Sequence, residues 1–209
     1  TLIIGVGLIG SSIARALREY KISSEIHGID SNVDVLVKCN NLKILTSGKQ
    51  NLQDFSNQFD LIIICTPLNS YKKIFLSIND FVKQPTLVTD VGSTKVSVIQ
   101  DYKEACHNTH VKFVPSHPIA GIEKSSPEHG FSELFENRFC ILTPVNKNDE
   151  SIKRIKSLWE SIGMHIDTMN ADHHDRVLAM ISHIPQLIAY SIVATATDLE
   201  KHIKDEVIK

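Results

Sequence analysis

Glycines 5, 7 and 10 stand in the pattern Gly5-x-Gly7-x-x-Gly10, directly after the apolar run Leu2-Ile3-Ile4. In a strand-to-helix turn the first glycine permits the tight reversal, the second lets the backbone approach a diphosphate, and the third lets helix and strand pack closely. Leu8, Ile9 and Gly10 would then open the helix, offering free N–H groups and the positive end of its dipole to the anion. Twenty residues after Gly10, Asp30 closes the next apolar run. A carboxylate there accepts hydrogen bonds from ribose hydroxyls and repels a 2′-phosphate. No arginine follows within ten residues, so the pattern favours NAD over NADP. Strand, glycine turn, helix and acidic residue together outweigh a merely structural turn. Asp30 itself could also be a turn or helix-capping residue, a role open equally to Ser31 and Asn32.

Two further turns carry polar groups. Cys65-Thr66-Pro67 follows the most apolar run of the chain, and Asp90-Val91-Gly92-Ser93-Thr94-Lys95 follows the next. Both then lie at the carboxyl ends of parallel strands, where open α/β sheets bind ligands. Thr66 and Ser93 can hydrogen-bond a ribose or a substrate, while Ser93 or Thr94 as a plain helix cap is the simpler alternative. His117, in Ser116-His117-Pro118-Ile119-Ala120-Gly121-Ile122-Glu123, comes just after another strand-like run. Histidine takes a proton near neutrality, which an alcohol must lose as hydride leaves its carbon. The pair His173-His174 suggests a metal, but no carboxylate or cysteine spacing completes a site, and Asp172 and Asp175 are explained by complementing the dipole of their own helix. No metal is expected. His183, taken alone, reads as a core or interface histidine.

These groups need elements to hold them. Apolar runs at 2–4, 25–30, 42–45, 59–65, 86–90 and 111–114 alternate with helical patterns at 11–20, 32–40, 70–82 and 95–106. Runs such as Leu61-Ile62-Ile63-Ile64 are apolar without alternation, as strands covered on both faces are. The expected fold is therefore α/β, a doubly wound, mostly parallel Rossmann-type sheet. Two more strands, at 139–143 and 165–168, flank a helix at 149–162, and residues 115–131 read as one long loop. From residue 171 the pattern is helical only, apolar from 177 to 196, with Pro185 expected to kink it. We expect a dinucleotide-binding domain over 1–170 and the start of an all-helical domain over 171–209. The helical part would supply substrate contacts and a homodimer interface.

Composition agrees with an ordinary soluble globular protein. The 209 residues are 42% hydrophobic and 22% charged, outside the range of disordered chains. Twenty-two basic against 24 acidic residues, scattered singly, give no footprint for nucleic acid or an anionic membrane. The longest apolar runs, such as 61–65, read as far too short to span a bilayer. Cys39, Cys65, Cys106 and Cys140 form no CxxC pair and read as reduced thiols, consistent with a cytoplasmic location. The chain begins with Thr1 inside an apolar run and reaches Lys209 without a helix stop signal, so it reads as a piece of a longer protein.

In order and spacing, Gly5–Ser12, Asp30, Cys65-Thr66-Pro67, Asp90–Lys95, His117–Glu123 and His174–Gln186, above all the histidine-proline-isoleucine-alanine-glycine loop and the serine-histidine-x-proline helix, resemble prephenate dehydrogenase and its relatives, arogenate and cyclohexadienyl dehydrogenase. The resemblance spans nearly the whole chain. It implies NAD-dependent oxidative decarboxylation of prephenate or arogenate in tyrosine biosynthesis. In it His117 matches the catalytic histidine, Ser93 a serine holding the hydroxyl and the nicotinamide, and Glu123 an acidic residue at the pocket mouth. His183 and Gln186 match positions that contact substrate, Gln186 standing where the family often has a second histidine. The family's carboxylate-binding arginine would lie beyond Lys209. Two alternatives stay open: another NAD-dependent β-hydroxyacid or imine-type dehydrogenase, and a catalytically silent NAD-binding module. A lysine on the first long helix after the sheet would favour the former, and residues 171–196 contain none.

Overall fold

The computed structural model describes residues 1–56, 58–145 and 150–207, the last seven as backbone only. Asp149, at the expected start of the fifth helix, and Lys209 fall outside the described residues. Six parallel strands, β1 (Leu2–Ile4), β2 (His27–Ile29), β3 (Ser47–Lys49), β4 (Leu61–Ile64), β5 (Thr86–Asp90) and β6 (Val111–Val114), form a sheet in the order β3-β2-β1-β4-β5-β6. Between them run α1 (Leu8–Glu19), α2 (Val33–Asn41), α3 (Tyr71–Phe81) and α4 (Val96–Ala105).

The period of two along the strands splits the core into two layers. Ile3 and Ile63 face one side, with Ile13 and Leu17 of α1. Leu2, Ile4, Ile62 and Ile64 face the other, with Phe75 and Ile78 of α3 and Val98 of α4. Both faces of β4 are thus covered, which is why its sequence is apolar throughout. The run at 42–45 is not a strand. Ile44 and Leu45 are buried packing residues, Leu45 filling the space over Gly28, where a Cβ would meet its Cδ1 at 2.5 Å. The strand of that unit is β3, whose Ser-Gly-Lys sequence carries no apolar signal.

The later strands do not extend this sheet. β7 (Ser116–Pro118), β8 (Phe139–Leu142) and β9 (His165–Thr168) form a second one, with β7 antiparallel to β8 and β8 parallel to β9. The stretch 115–131 is accordingly not one loop, since it opens with β7 and contains a 3₁₀ turn at Pro127–His129. α5 (Glu150–Ser161) places Ile155, Leu158 and Trp159 in the α1-side core layer.

α6 (Ala171–Leu178), a π-helical turn (Ala179–His183) and α7 (Ile184–Val207) follow as one continuous helical run. Within the π turn the Ile184 N–H bonds to the Ala179 carbonyl, five residues back. This wide turn sits directly before Pro185, where a regular ladder would lack a donor. Ile181, Leu187, Ile188, Tyr190, Ile192 and Val193 are all exposed. The run from Ala171 to Glu200 is, by length and composition, apolar enough to cross a membrane, which corrects the expectation that no apolar stretch reaches that length.

Candidate active site

The sheet order reverses between β1 and β4, and a cleft of about 410 Å³ opens there, lined by Gly5, Gly7, Asp30, Thr66 and Pro67. Crevices at such switch points, outside the strands' carboxyl ends, are where doubly wound sheets hold nucleotides. Two of the three glycines have a measurable reason. Gly5 has φ +91° and lies so close to β4 that a Cβ would meet the Cys65 carbonyl at 2.8 Å; a Cβ on Gly10 would stand 2.1 Å from the Gly5 oxygen. Leu8, Ile9 and Gly10 open α1, whose first turn has no acidic residue and no side-chain cap. That end is nevertheless engaged, because the Leu8 N–H donates to the Ser125 carbonyl at 3.0 Å. Asp30 is half-buried, accepting the Val6 N–H at 3.0 Å and the Asn32 N–H at 2.9 Å, one bond per oxygen. Asn32, not Asp30, caps α2.

The second cluster lies at the carboxyl end of β5. Asp90 is fully buried and pairs with Lys95, equally buried, at 2.6 Å. Its other oxygen accepts the Ser116 N–H at 3.0 Å, and the Lys95 ammonium donates to the Ser116 carbonyl at 2.8 Å. Burial pushes the Lys95 ammonium down and Asp90 opposes it. Neither charge could be left alone there without a large desolvation cost. The pair therefore ties the first residue of β7 to β5, and the next residue is His117.

The half-buried His117 ring meets a fully buried His174, Nδ1 to Nε2, at 2.9 Å. His174 Nδ1 lies 2.7 Å from Asp175 Oδ1, and the Asp175 carboxylate also accepts the Lys95 and Val96 N–H groups at 2.8 and 3.0 Å. Burial raises the Asp175 carboxyl, but the Val96 and Lys95 N–H groups and the His174 ring together hold it below its ordinary value. Asp175 thus complements a helix terminus, but that of α4 and not its own. Lys95, not Ser93 or Thr94, is the α4 cap residue, and it offers no side-chain cap. Burial, then the charges of Lys95, His174 and His183, depress His117 from 6.5 to about 3, with Asp175 opposing. The ring is neutral near pH 7, as a proton acceptor must be.

His183, half-buried, is near enough to act on His117 electrostatically. Ser93 and Glu123 are exposed on the turns after β5 and β7. Gln186 is exposed and bonds along its own helix to the Tyr190 hydroxyl at 3.3 Å. Among the described residues no group of three or more His, Cys, Asp or Glu side chains is arranged to hold a metal ion. Sequence reasoning assigned no site role to Asp90, Lys95, His174 or Asp175. An Asp and a Lys five residues apart around a glycine turn carry no recognisable signal, and the partners of His174 lie 57 and 1 residues away.

Family models described as the nucleotide-binding domain and the dimerization domain of prephenate dehydrogenase match residues 13–168 and 170–209. The chain belongs to the prephenate dehydrogenase family. It is 36% identical over 208 residues to a cyclohexadienyl dehydrogenase of Zymomonas mobilis, covering 99% of this chain and 70% of that one. It is 33% identical over 194 residues to a prephenate dehydrogenase of Bacillus subtilis, covering 92% and 52%. Among solved structures, the prephenate dehydrogenase from A. aeolicus in complex with hydroxyphenyl propionate and NAD+ superposes with a TM-score of 0.85 at 33% identity, over 93% of this chain and 68% of that one. The chain thus spans between about half and 70% of the curated relatives named.

Proposed function

We propose that this chain is the cofactor-binding part, with the start of the helical dimerization domain, of a cytoplasmic NAD-dependent dehydrogenase that oxidatively decarboxylates prephenate, arogenate or both. The observation that carries the reading is topological. In a parallel sheet the glycine turn after β1 and His117 after β6 stand on one edge, and His117 is a neutral imidazole there. The residues present fit a dinucleotide: Gly5 and Gly10 admit no side chain, α1 has no side-chain cap on its N–H groups, and each Asp30 oxygen keeps acceptor capacity for a ribose hydroxyl. For a diphosphate to take the Leu8 N–H, the Ser125 carbonyl must give it up.

A bound NAD would supply the acceptor for the hydride that leaves the ring carbon carrying the hydroxyl. His117 takes the hydroxyl proton as the carbonyl forms, and the ring carboxylate then leaves as carbon dioxide, its bonding pair passing through the ring to the carbonyl oxygen to give an aromatic phenolate. Ser93 orients the hydroxyl, Thr66 and Pro67 border the cofactor, and Glu123, His183 and Gln186 face the substrate side chain. The bond from Gln186 to Tyr190 must then be exchanged on binding. The match to a dimerization domain and the exposed apolar face of α7 support a homodimer. NADH formation by the full-length protein with prephenate and with arogenate tests the activity. His117→Asn should lower kcat by roughly 10²- to 10⁴-fold while leaving NAD affinity within about twofold. A variant with wild-type kcat removes His117 from the mechanism, and NAD binding without turnover of either acid shows a silent module.

A further inference from the structure

The hydrogen-bond chain behind His117 has a direction that proton counting can assign. Asp175 is held ionised by two N–H groups at the α4 terminus, so it can only accept. His174 must therefore carry its proton on Nδ1 and give it to Asp175 Oδ1. As a neutral imidazole His174 then has only a lone pair on Nε2, and that atom is 2.9 Å from His117 Nδ1. His117 must donate from Nδ1, which leaves the lone pair on its Nε2, the atom left to meet a substrate. His174 is fully buried and has both ring nitrogens occupied, so it is out of reach of substrate.

We propose that His174 and Asp175 are positioning residues that fix the tautomer and ring orientation of His117, with Asp175 anchored on the amino terminus of α4. The proposal rests on the reading of His117 as the base. It gives Asp175 a double duty, capping one helix and steering an imidazole two links from its carboxylate. Within surroundings that disfavour charge, the hydrogen-bond chain is the part that favours it. When His117 Nε2 takes a proton, the imidazolium donates its Nδ1–H to His174, and the Asp175 carboxylate stands behind it along the same chain. The Lys95 ammonium opposes charge on the same ring, and the Asp175 carboxylate favours it.

The test uses the full-length protein with histidine nitrogens labelled, read by NMR, alongside steady-state kinetics. Wild-type His117 should show its proton on Nδ1 and a bare Nε2. His174→Leu should lower kcat by roughly 10- to 100-fold with KM and NAD affinity little changed, and should shift His117 towards the Nε2-protonated tautomer. His174→Gln, whose side-chain oxygen can accept from His117 Nδ1, should recover most of the loss. Asp175→Asn should move the acid limb of the kcat profile to lower pH, because the one charge that favours imidazolium is gone. A wild-type ring protonated on Nε2, or wild-type kcat in a folded His174→Leu variant, overturns the proposal. If His174→Leu does not fold, the wild-type tautomer and the His174→Gln rate still decide it. If His117→Asn keeps full activity, the reading beneath fails instead, and the tautomer measurement still judges the relay separately.

Discussion

His117 is a histidine that cannot titrate where histidines usually do. In the unfolded chain it binds a proton near its ordinary value of 6.5, while in the folded protein burial and the Lys95 ammonium hold protonation off to about 3. Between those pH values the unfolded state binds more protons, so stability rises with pH across the window. The contribution is complete above about pH 6.5 and is lost as pH falls towards 3. In urea unfolding, wild type should lose up to about 1.4 kcal/mol per pH unit more than His117→Asn within that window, and the two should run parallel above it. Parallel behaviour throughout would show that the folded ring is not kept neutral. Nothing of this was legible in residues 116–123, because the groups that set it, Lys95, His174 and His183, come from two distant helical segments.

At the level of elements, the segment between β7 and the 3₁₀ turn at Pro127–His129 lies over the start of α1. Its Ser125 carbonyl takes the same Leu8 N–H that a diphosphate would use, and a Cβ on Gly7 would meet that carbonyl at 3.2 Å. Cofactor binding must therefore displace a hydrogen bond worth about 1 kcal/mol. Deleting residues 122–125 should tighten NAD binding by roughly fivefold in titration calorimetry. Unchanged or weaker affinity would show that the carbonyl does not compete. The glycine turn itself was readable because most of its constraint is local: the positive φ of Gly5 and the close approach of Gly10 to the Gly5 oxygen are properties of six consecutive residues. β3 was not, since an edge strand of Ser-Gly-Lys has no apolar pattern, and the apolar pair beside it serves packing.

For the whole molecule, α7 carries an apolar surface that no other described residue covers. Leu187 is 64% exposed and Tyr190 65%, on a helix whose sequence promised burial. Covering such side chains contributes about 1.5–3 kcal/mol each, and a two-fold interface counts every one twice. The full-length protein should therefore have a dimer's mass by light scattering, and Leu187→Asp should weaken the dimer at least tenfold. A variant that stays dimeric at the same concentrations would place the interface elsewhere.

The amino-acid sequence by itself determined the alternation of strands and helices, the nucleotide turn, Asp30 at the end of β2 and the position of His117 after β6. Each depends on residues within a turn or two of one another, where periodicity and backbone sterics act directly. Only the tertiary structure decided that β7, β8 and β9 form a sheet of their own, that Asp90 and Lys95 bury a charge pair against Ser116, and that Asp175 caps α4. The last two contacts join residues 26 and 80 positions apart. A buried charge or an imidazole proton acquires its meaning from the partner opposite it, and chain order does not say which partner that will be.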